Sequence, residues 1–391
     1  METLAPFQEV IDEIKEAGGE GFKLCYQCGL CDTVCPWNKV RAFSIRKIIR
    51  EACFGLTEVE DEDIWRCTTC GNCPEKCPRG VKQIDIGVSL RRFASEYEVF
   101  PASVRSARTA RASIISEGNP LQGERKKRAD WAEGLSVKTF AEGMEVLFFP
   151  CCYLTYDPRM KKVGAATADI LNRTEVNFGI LGTKESCCGE SIRKTGSEKV
   201  FKNSARENIK NFIDNGVKKI FVSSPHCYHT FKNEYPEFMV NFEVVHIVQY
   251  LAELINEGKL ELTKEYKKKV TYHDPCYLGR HNGIYDEPRE VLKQIPGLEL
   301  IEMPDSREDS LCCGGGGGRI WMDTPQVERF SDLRLKQAHE AGAEVLVTAC
   351  PYCITNFEES RLNREGSNVL EIKDITEILW EVMKGNEETK K

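Results

Sequence analysis

A chain of 391 residues is long enough for two or three domains with a large core. Its formal net charge of −7 and isoelectric point near 5.7 argue against nucleic acid as the main partner. No run of roughly 18 apolar residues and no charged–apolar–small leader is visible, so a cytoplasmic protein is expected, soluble or peripheral, with any membrane role falling to a separate anchor subunit. Nineteen cysteines are the main signal. Secreted disulfide proteins are usually small, whereas reduced cysteines at clustered spacings point to metal. Seventeen of the nineteen fall into four sets, leaving Cys53 and Cys151 outside.

Residues 1–20 read as a short amphipathic helix covering the next domain, with Phe7, Val10, Ile11 and Ile14 at helical spacing and Gly18-Gly19 ending it. Then come Cys25, Cys28, Cys31 and Cys35-Pro36. The same spacing recurs at Cys67, Cys70, Cys73 and Cys77-Pro78. In the two-cluster bacterial ferredoxin run, the fourth cysteine of each run ligates the other cluster. That rule assigns Cys25, Cys28, Cys31 and Cys77 to one cubane 4Fe-4S cluster, and Cys67, Cys70, Cys73 and Cys35 to a second. Two zinc sites are the alternative, but zinc ribbons use two cysteine pairs rather than four cysteines in eleven residues.

Between the runs, residues 41–53 read as a helix with Ile45, Ile48, Ile49 and Ala52 on one face and Cys53 as a packing residue. This insert resembles the helical ferredoxin module of fumarate reductase iron–sulfur subunits. Residues 84–98 read as another helix. Domain one is therefore set at 1–100 and a linker at 101–144. The linker is basic at Arg105, Arg108, Arg111 and Arg125-Lys126-Lys127-Arg128, broken at Gly118-Asn119-Pro120, and reads as a solvated face or a dock for an acidic partner.

The rest is an internal repeat. Residues 145–230 and 270–353 both run strand, Pro-Cys, helix, strand, Cys-Cys-Gly, helix, strand, cysteine. Strands alternating with helices predict an α/β fold with mainly parallel sheets, and the cysteines fall at strand ends, where such folds gather ligands. A first domain at 145–265 and a second at 266–391 follow, related by pseudo-two-fold symmetry that places their sites near each other. The second holds Cys276, Cys312, Cys313, Cys350 and Cys353, and Gly314 to Gly318 let the backbone approach a bulky inorganic body. A metal cluster, a structural thiol cluster and a zinc site are the readings of this pattern. The first half keeps Cys152, Cys187, Cys188 and Cys227 but has Thr230 where the last cysteine should stand, with Cys151 as a possible fifth thiol. A cubane 4Fe-4S cluster, a zinc ion or no metal are its readings, with a residual metal preferred. His226 and His229 flank Cys227. His273 beside the complete set is read either as packing or as a group that supplies a proton or bonds a sulfide, and His281 as structural. Arg280 and Arg319 could offset cluster charge or hold an anionic substrate.

From Cys25 to Cys353 the pattern resembles the D subunit of heterodisulfide reductase and its relatives with CCG (cysteine-rich) domains, including the K subunit of the sulfate-reducer transmembrane complex. The carriers are the two ferredoxin runs, the linker with Gly118-Asn119-Pro120, Arg128 and Trp131, and Cys276-Tyr-Leu-Gly-Arg-His-Asn-Gly-Ile-Tyr-Asp-Glu-Pro-Arg289 with its Cys-Cys-Gly run. The first half also resembles the glycerol-3-phosphate dehydrogenase C subunit around Glu234-Tyr235-Pro236-Glu237. The resemblance implies a non-cubane 4Fe-4S cluster on Cys276, Cys312, Cys313, Cys350 and Cys353, where a disulfide is cleaved or thiols are oxidised with electrons from the ferredoxin domain. It also implies a multi-subunit redox complex with flavoprotein or membrane cytochrome subunits. The alternative function is a pure relay between a flavoprotein and a quinone or low-potential reductase, without a substrate of its own.

Overall fold

A computed structural model of the chain describes residues 6–56, 61–174, 176–362 and 370–383; residues 1–5 of the expected first helix lie outside them. The helix Gln8–Ile14 buries Ile11 and Ile14, and tighter helical turns continue to Leu24. The inter-run helix is Ile45–Phe54. Ser44 caps it by accepting from the Lys47 amide, and Gly55 ends it in the left-handed conformation. Its buried face is Ile45, Ile49 and Ala52, as the periodicity predicts. The helix Gln83–Glu96 closes this domain.

The segment expected as a linker is largely structured. It carries the helix Arg105–Glu117, and its β1 (Lys138–Thr139) joins the first sheet beside β3 (Phe178–Ile180). Arg105 and Arg108 are exposed, in keeping with a solvated face. Arg128 departs from it, being buried in an ion pair with Glu185; Trp131 is buried in the core that follows.

The first sheet orders its strands β1, β3, β2 (Val146–Phe149), β4 (Lys219–Val222) and β5 (Glu243–His246), all parallel. The second orders β7 (Glu299–Ile301), β6 (Lys269–Tyr272), β8 (Val345–Thr348) and β9 (Glu371–Asp374), again all parallel. β2 and β8 are buried along their whole length, as central parallel strands are. The strand–helix pattern of the sequence does not predict the fourth strands β5 and β9. Their short mixed sequences, Glu-Val-Val-His and Glu-Ile-Lys-Asp, carry no continuous apolar run. Each leads straight into a helix through a capping box, His246 into Ile247–Asn256 and Asp374 into Ile375–Val382. These helices cross over: Ile247–Asn256 lies on the second half's Asp286–Lys293, and Ile375–Val382 on the first half's Met160–Arg173. The two halves therefore share one continuous core.

The ferredoxin-like domain is held to both halves by Arg91, which is fully buried. Its Nε donates to the Ile64 carbonyl and Nη2 to that of Cys67, each at 2.8 Å. Nη1 donates to Lys194 of the first half at 3.0 Å and to Gly317 of the second at 2.8 Å. Hydrogen bonds from a charged donor are worth about 1.5–3 kcal/mol each, and removing the donor orphans the buried carbonyls as well. Arg91→Met is predicted to destabilise the protein by about 4 kcal/mol, read as an earlier thermal unfolding transition, with proteolysis releasing the ferredoxin-like domain before the α/β halves.

Candidate metal centres

Two cavities in the ferredoxin-like domain separate its cysteines. Cys25, Cys28, Cys31 and Cys77 line one; Cys35, Cys67, Cys70 and Cys73 line the other. This is the exchanged grouping expected from the spacing. The short turns that bear the cysteines begin at Gly29 and Gly71, both in the left-handed conformation, so each run folds back around its cavity. Backbone amides of Thr69 and Val81 point at the sulfurs of Cys67 and Cys77, 3.4 Å away. Burial pushes Cys31 up to about 12 and lifts Cys35 and Cys73 as well. Such thiols give up their protons to a metal rather than to water. The first cavity reaches the surface at the exposed Cys28. The second is lined also by Trp37 and Thr68, which meet Phe330 and Gly316 of the second half. Cys53 stays outside both, half-buried with its thiol directed at the Phe22 carbonyl 3.6 Å away.

The loop Cys67–Cys70 sits directly on the second half. A Cβ on Gly316 would lie 2.3 Å from the Thr68 carbonyl oxygen, and one on Gly317 2.3 Å from that of Cys67. The middle of the glycine run, expected to face an inorganic body, is instead filled by this loop. Around it, Thr69 Oγ1 and Tyr277 Oη are 2.8 Å apart, His281 Nε2 donates to the Thr69 carbonyl at 2.8 Å, and Arg280 Nε donates to that of Cys70 at 2.8 Å. Arg280 and His281 are thus docking residues. At the centre, the Cys70 thiol hydrogen-bonds to Cys312, whose sulfur also lies 3.7 Å from Thr68 Oγ1.

The five cysteines of the second half lie together, all buried. Cys276 hydrogen-bonds to Cys312 and Cys312 to Cys313. Cys353 donates to Cys313 at 3.3 Å and also bonds to Cys350. Hydrogen bonds from Cys312 and Cys353 hold Cys313 well below the usual thiol range. Burial raises Cys350, but hydrogen bonds from Cys353 and His226 outweigh it and bring it down to about 5. Negative charge therefore gathers on sulfurs buried away from water, which suits a bound cation or cluster.

His226 comes from the first half. It stacks on Tyr277 at 4.1 Å, lies 4.3 Å from the Tyr352 ring, and sets Nδ1 3.2 Å from the buried Glu190 carboxylate. Burial opposes both charges, yet the pairing holds Glu190 at about 2 and lifts His226 to about 10. Glu190 is not among the residues that spacing singles out. Its signal is the departure from Cys-Cys-Gly-Gly to Cys187-Cys188-Gly189-Glu190.

A ring nitrogen of His273 and the sulfurs of Cys313 and Cys353 lie within 4.8 Å of one another. Arg334 Nε donates to His273 Nδ1 at 3.2 Å. A guanidinium only donates, so Nδ1 must carry the lone pair and Nε2 the proton. Nε2 is buried without a partner. Burial first, then Arg334, depresses His273 well below the usual histidine range. His273 therefore faces this sulfur set as a neutral imidazole whose Nε2–H is free to donate. Beyond Cys313 and Gly314, a cavity of about 330 Å³ opens between Trp37, Arg319, Trp321, Phe330 and Asn356. Arg319 is buried, and its Nη2 reaches only the Asp323 carbonyl and Thr324 hydroxyl, while its Nε has no partner.

In the first half, Cys152, Cys187, Cys188 and Cys227 are likewise buried together, with Cys227 donating to Cys188 at 3.4 Å. Arg128 Nη1 points at Cys152 Sγ from 3.6 Å.

Hydrogen bonds to sulfur stabilise a cluster's more negative, reduced state. In iron-loaded protein, His273→Leu is predicted to keep the iron content while lowering the reduction potential of the second-half centre, followed by spectroscopic redox titration. Arg334→Met, which frees the tautomer, should shift it in the same direction.

A family model described as a cysteine-rich domain, CCG, matches residues 146–232 and again 270–358. A 4Fe-4S dicluster domain matches residues 21–81. The probable iron–sulfur-binding oxidoreductase FadF of Bacillus subtilis (strain 168) is 40% identical over 336 residues, covering 84% of this chain and 47% of that protein. EtfAB:quinone oxidoreductase of Syntrophomonas wolfei subsp. wolfei is 37% identical over 340 residues, covering 83% and 47%. The chain thus spans about half the length of these two relatives. The D subunit of dihydromethanophenazine:CoB--CoM heterodisulfide reductase from Methanosarcina barkeri is 31% identical over 391 residues, covering 92% of this chain and 93% of that protein. Among the described residues no helix is long and apolar enough to cross a membrane. With one dicluster ferredoxin domain ahead of two CCG domains on parallel α/β sheets, the chain is an iron–sulfur protein of the oxidoreductase type and belongs to the family of the heterodisulfide reductase D subunit.

Proposed function

We propose that the chain is the iron–sulfur subunit of an anaerobic redox complex, in which electrons entering at the ferredoxin domain serve disulfide reduction, or leave thiol oxidation, at the second CCG domain. Cys25, Cys28, Cys31 and Cys77 hold the outer cubane, and Cys35, Cys67, Cys70 and Cys73 the inner one. Cys276, Cys312, Cys313, Cys350 and Cys353 hold a non-cubane 4Fe-4S cluster, and Cys152, Cys187, Cys188 and Cys227 hold metal in the first half. When bound, such clusters supply one-electron storage and, at a five-thiolate site, a place for sulfur chemistry.

The observation that carries this reading is the contact of Cys70 with Cys312 across the docked loop. It joins the inner ferredoxin set to the second-half set with no intervening layer of protein, and the exposed Cys28 marks the opposite end as the entry. The chain's other residues bind and position. Gly314 and Cys313 form one wall of the 330 Å³ cavity, which admits a small disulfide or thiol. Arg319 supplies a buried positive charge for an anionic substrate group, and His273 keeps an N–H on the sulfur set. The partners we propose are a flavoprotein, a membrane cytochrome subunit or both, the flavoprotein at the Cys28 end.

The relay reading is favoured by one finding. The relatives named FadF and EtfAB:quinone oxidoreductase are more similar in sequence, at 40% and 37%, than the heterodisulfide reductase protein at 31%. Mild oxidation of the iron-loaded protein with a small thiol separates the two. A thiol–disulfide centre gives a paramagnetic species broadened by iron-57 and by sulfur-33 in the thiol. Cys312→Ala removes that species, and Cys53→Ala leaves it. If thiols change no cluster signal while electrons still pass from a flavoprotein to an artificial acceptor, the chain is a relay.

A further inference from the structure

The first half lacks one cysteine of its pattern, and Thr230 is not the position of the missing one. After β4 the first half reads Ser224-Pro225-His226-Cys227 and after β8 the second reads Cys350-Pro351-Tyr352-Cys353, each helix beginning at the proline. Cys227 therefore matches Cys353, and the buried Ser224 stands where Cys350 should be, with a hydroxyl in place of the thiol. A different residue restores the count. Cys151, at the position of Pro275 in the second half, is buried and adopts φ +61. The left-handed region costs a residue with a side chain roughly 1 kcal/mol or more, and such strain persists where the surroundings impose it. Here the thiol of this residue is a neighbour of Cys227.

The contacts then match between the halves. In the second, Cys353 donates to Cys313 at 3.3 Å, and the thiols of Cys276 and Cys312, Cys312 and Cys313, and Cys353 and Cys350 are neighbours. In the first, Cys227 donates to Cys188 at 3.4 Å, and the thiols of Cys152 and Cys187, Cys187 and Cys188, and Cys227 and Cys151 are neighbours. The next glycine amide meets the first sulfur of each Cys-Cys pair in the same way, Gly189 to Cys187 at 3.4 Å and Gly314 to Cys312 at 3.3 Å. Cys227 thus takes the place of Cys353, and Cys151 that of Cys350. A single tetrahedral zinc, with Zn–S bonds near 2.3 Å, needs its sulfurs within about 3.8 Å of one another. No three first-half thiols lie even within 4.8 Å of one another among the described residues. A chain of pairwise contacts suits a cluster of several irons. The buried Arg128, against Cys152 and with Nη2 unpartnered, adds positive charge beside the thiolates.

We infer that the first half holds a multi-iron sulfur cluster on five thiolates, Cys151, Cys152, Cys187, Cys188 and Cys227, with Cys151 substituting for the cysteine missing at position 224. The inference rests on the proposal that this half holds metal, and the test separates the two. The full chain and its variants are purified anaerobically, and iron, acid-labile sulfide and zinc are measured per chain, with iron-57 Mössbauer spectra. Cys151→Ala should lose as much iron and sulfide as Cys188→Ala, with the Cys313-dependent signals of the second half intact. Adding Ser224→Cys to Cys151→Ala rebuilds the Cys-Pro-x-Cys of the second half and should return most of the lost iron. Wild-type iron in Cys151→Ala beside a loss in Cys188→Ala would remove Cys151 from the ligands and leave the first-half metal standing. Unchanged iron in both would overturn the first-half metal as well. Stoichiometric zinc, or iron loss in Cys151→Ala that Ser224→Cys does not recover, also overturns the five-thiolate cluster.

Discussion

The arrangement depends on one buried guanidinium. Arg91 is enclosed on every side and spends its donors on carbonyls of three parts of the chain, Ile64 and Cys67, Lys194, and Gly317. A buried charge without a carboxylate is tolerated only where several well-placed acceptors replace its hydration. That requirement works as a geometric lock, because the acceptors are available only when the ferredoxin-like domain and both halves are in place. The lock sits beside the Cys67–Cys70 loop, so it also fixes the distance between the inner ferredoxin thiols and the second-half set. The glycines follow from this constraint: at positions 316 and 317 any side chain would collide with the loop's backbone.

The buried thiols create a second constraint. Sulfurs in a dry interior resist ionisation, yet in each half a hydrogen-bonded chain of five places its charge on particular members. Cys313 and Cys350 are held low in the second half. In the first, hydrogen bonds from Cys187 and Cys227 bring Cys188 down to about 6. Surrounding groups answer this charge. Arg128 stands at Cys152 and the His226–Glu190 pair at Cys350, while His273 presents a neutral N–H to Cys313 and Cys353. The first half thereby contributes directly to the second half's site through His226, clamped between Tyr277 and Tyr352.

The exchange of helices after β5 and β9 explains why the halves are inseparable. Each half's last helix covers the other half's first one, so neither buries its apolar faces alone. The backbone plan is symmetric, and the side chains differ at Ser224, Glu190 and His226 on one side and at Cys350, Tyr352 and the glycine run on the other.

Much of this was legible in the residue order. The cysteine spacings predicted the two exchanged sets, because three thiolates separated by two residues can wrap only one small body and the fourth must turn away at proline. The repeat and its strand–helix alternation predicted two parallel sheets with cysteines at the strand ends, since periodicity is a local property of the chain. The fourth strands were not legible. β5 and β9 are short and half-polar, and become strands only because β4 and β8 offer them a pairing edge. Long-range contacts decided the rest. Arg128 read as part of a solvated basic stretch until burial gave it a partner, and Arg91 carried no signal at all. The glycine run read as room for a cofactor until the ferredoxin loop filled it. Cys151 read only as a possible fifth thiol until the fold set it beside Cys227. In each case the chemistry of the residue depends on which atoms distant in sequence come within about 4 Å, and only the folded chain specifies those neighbours.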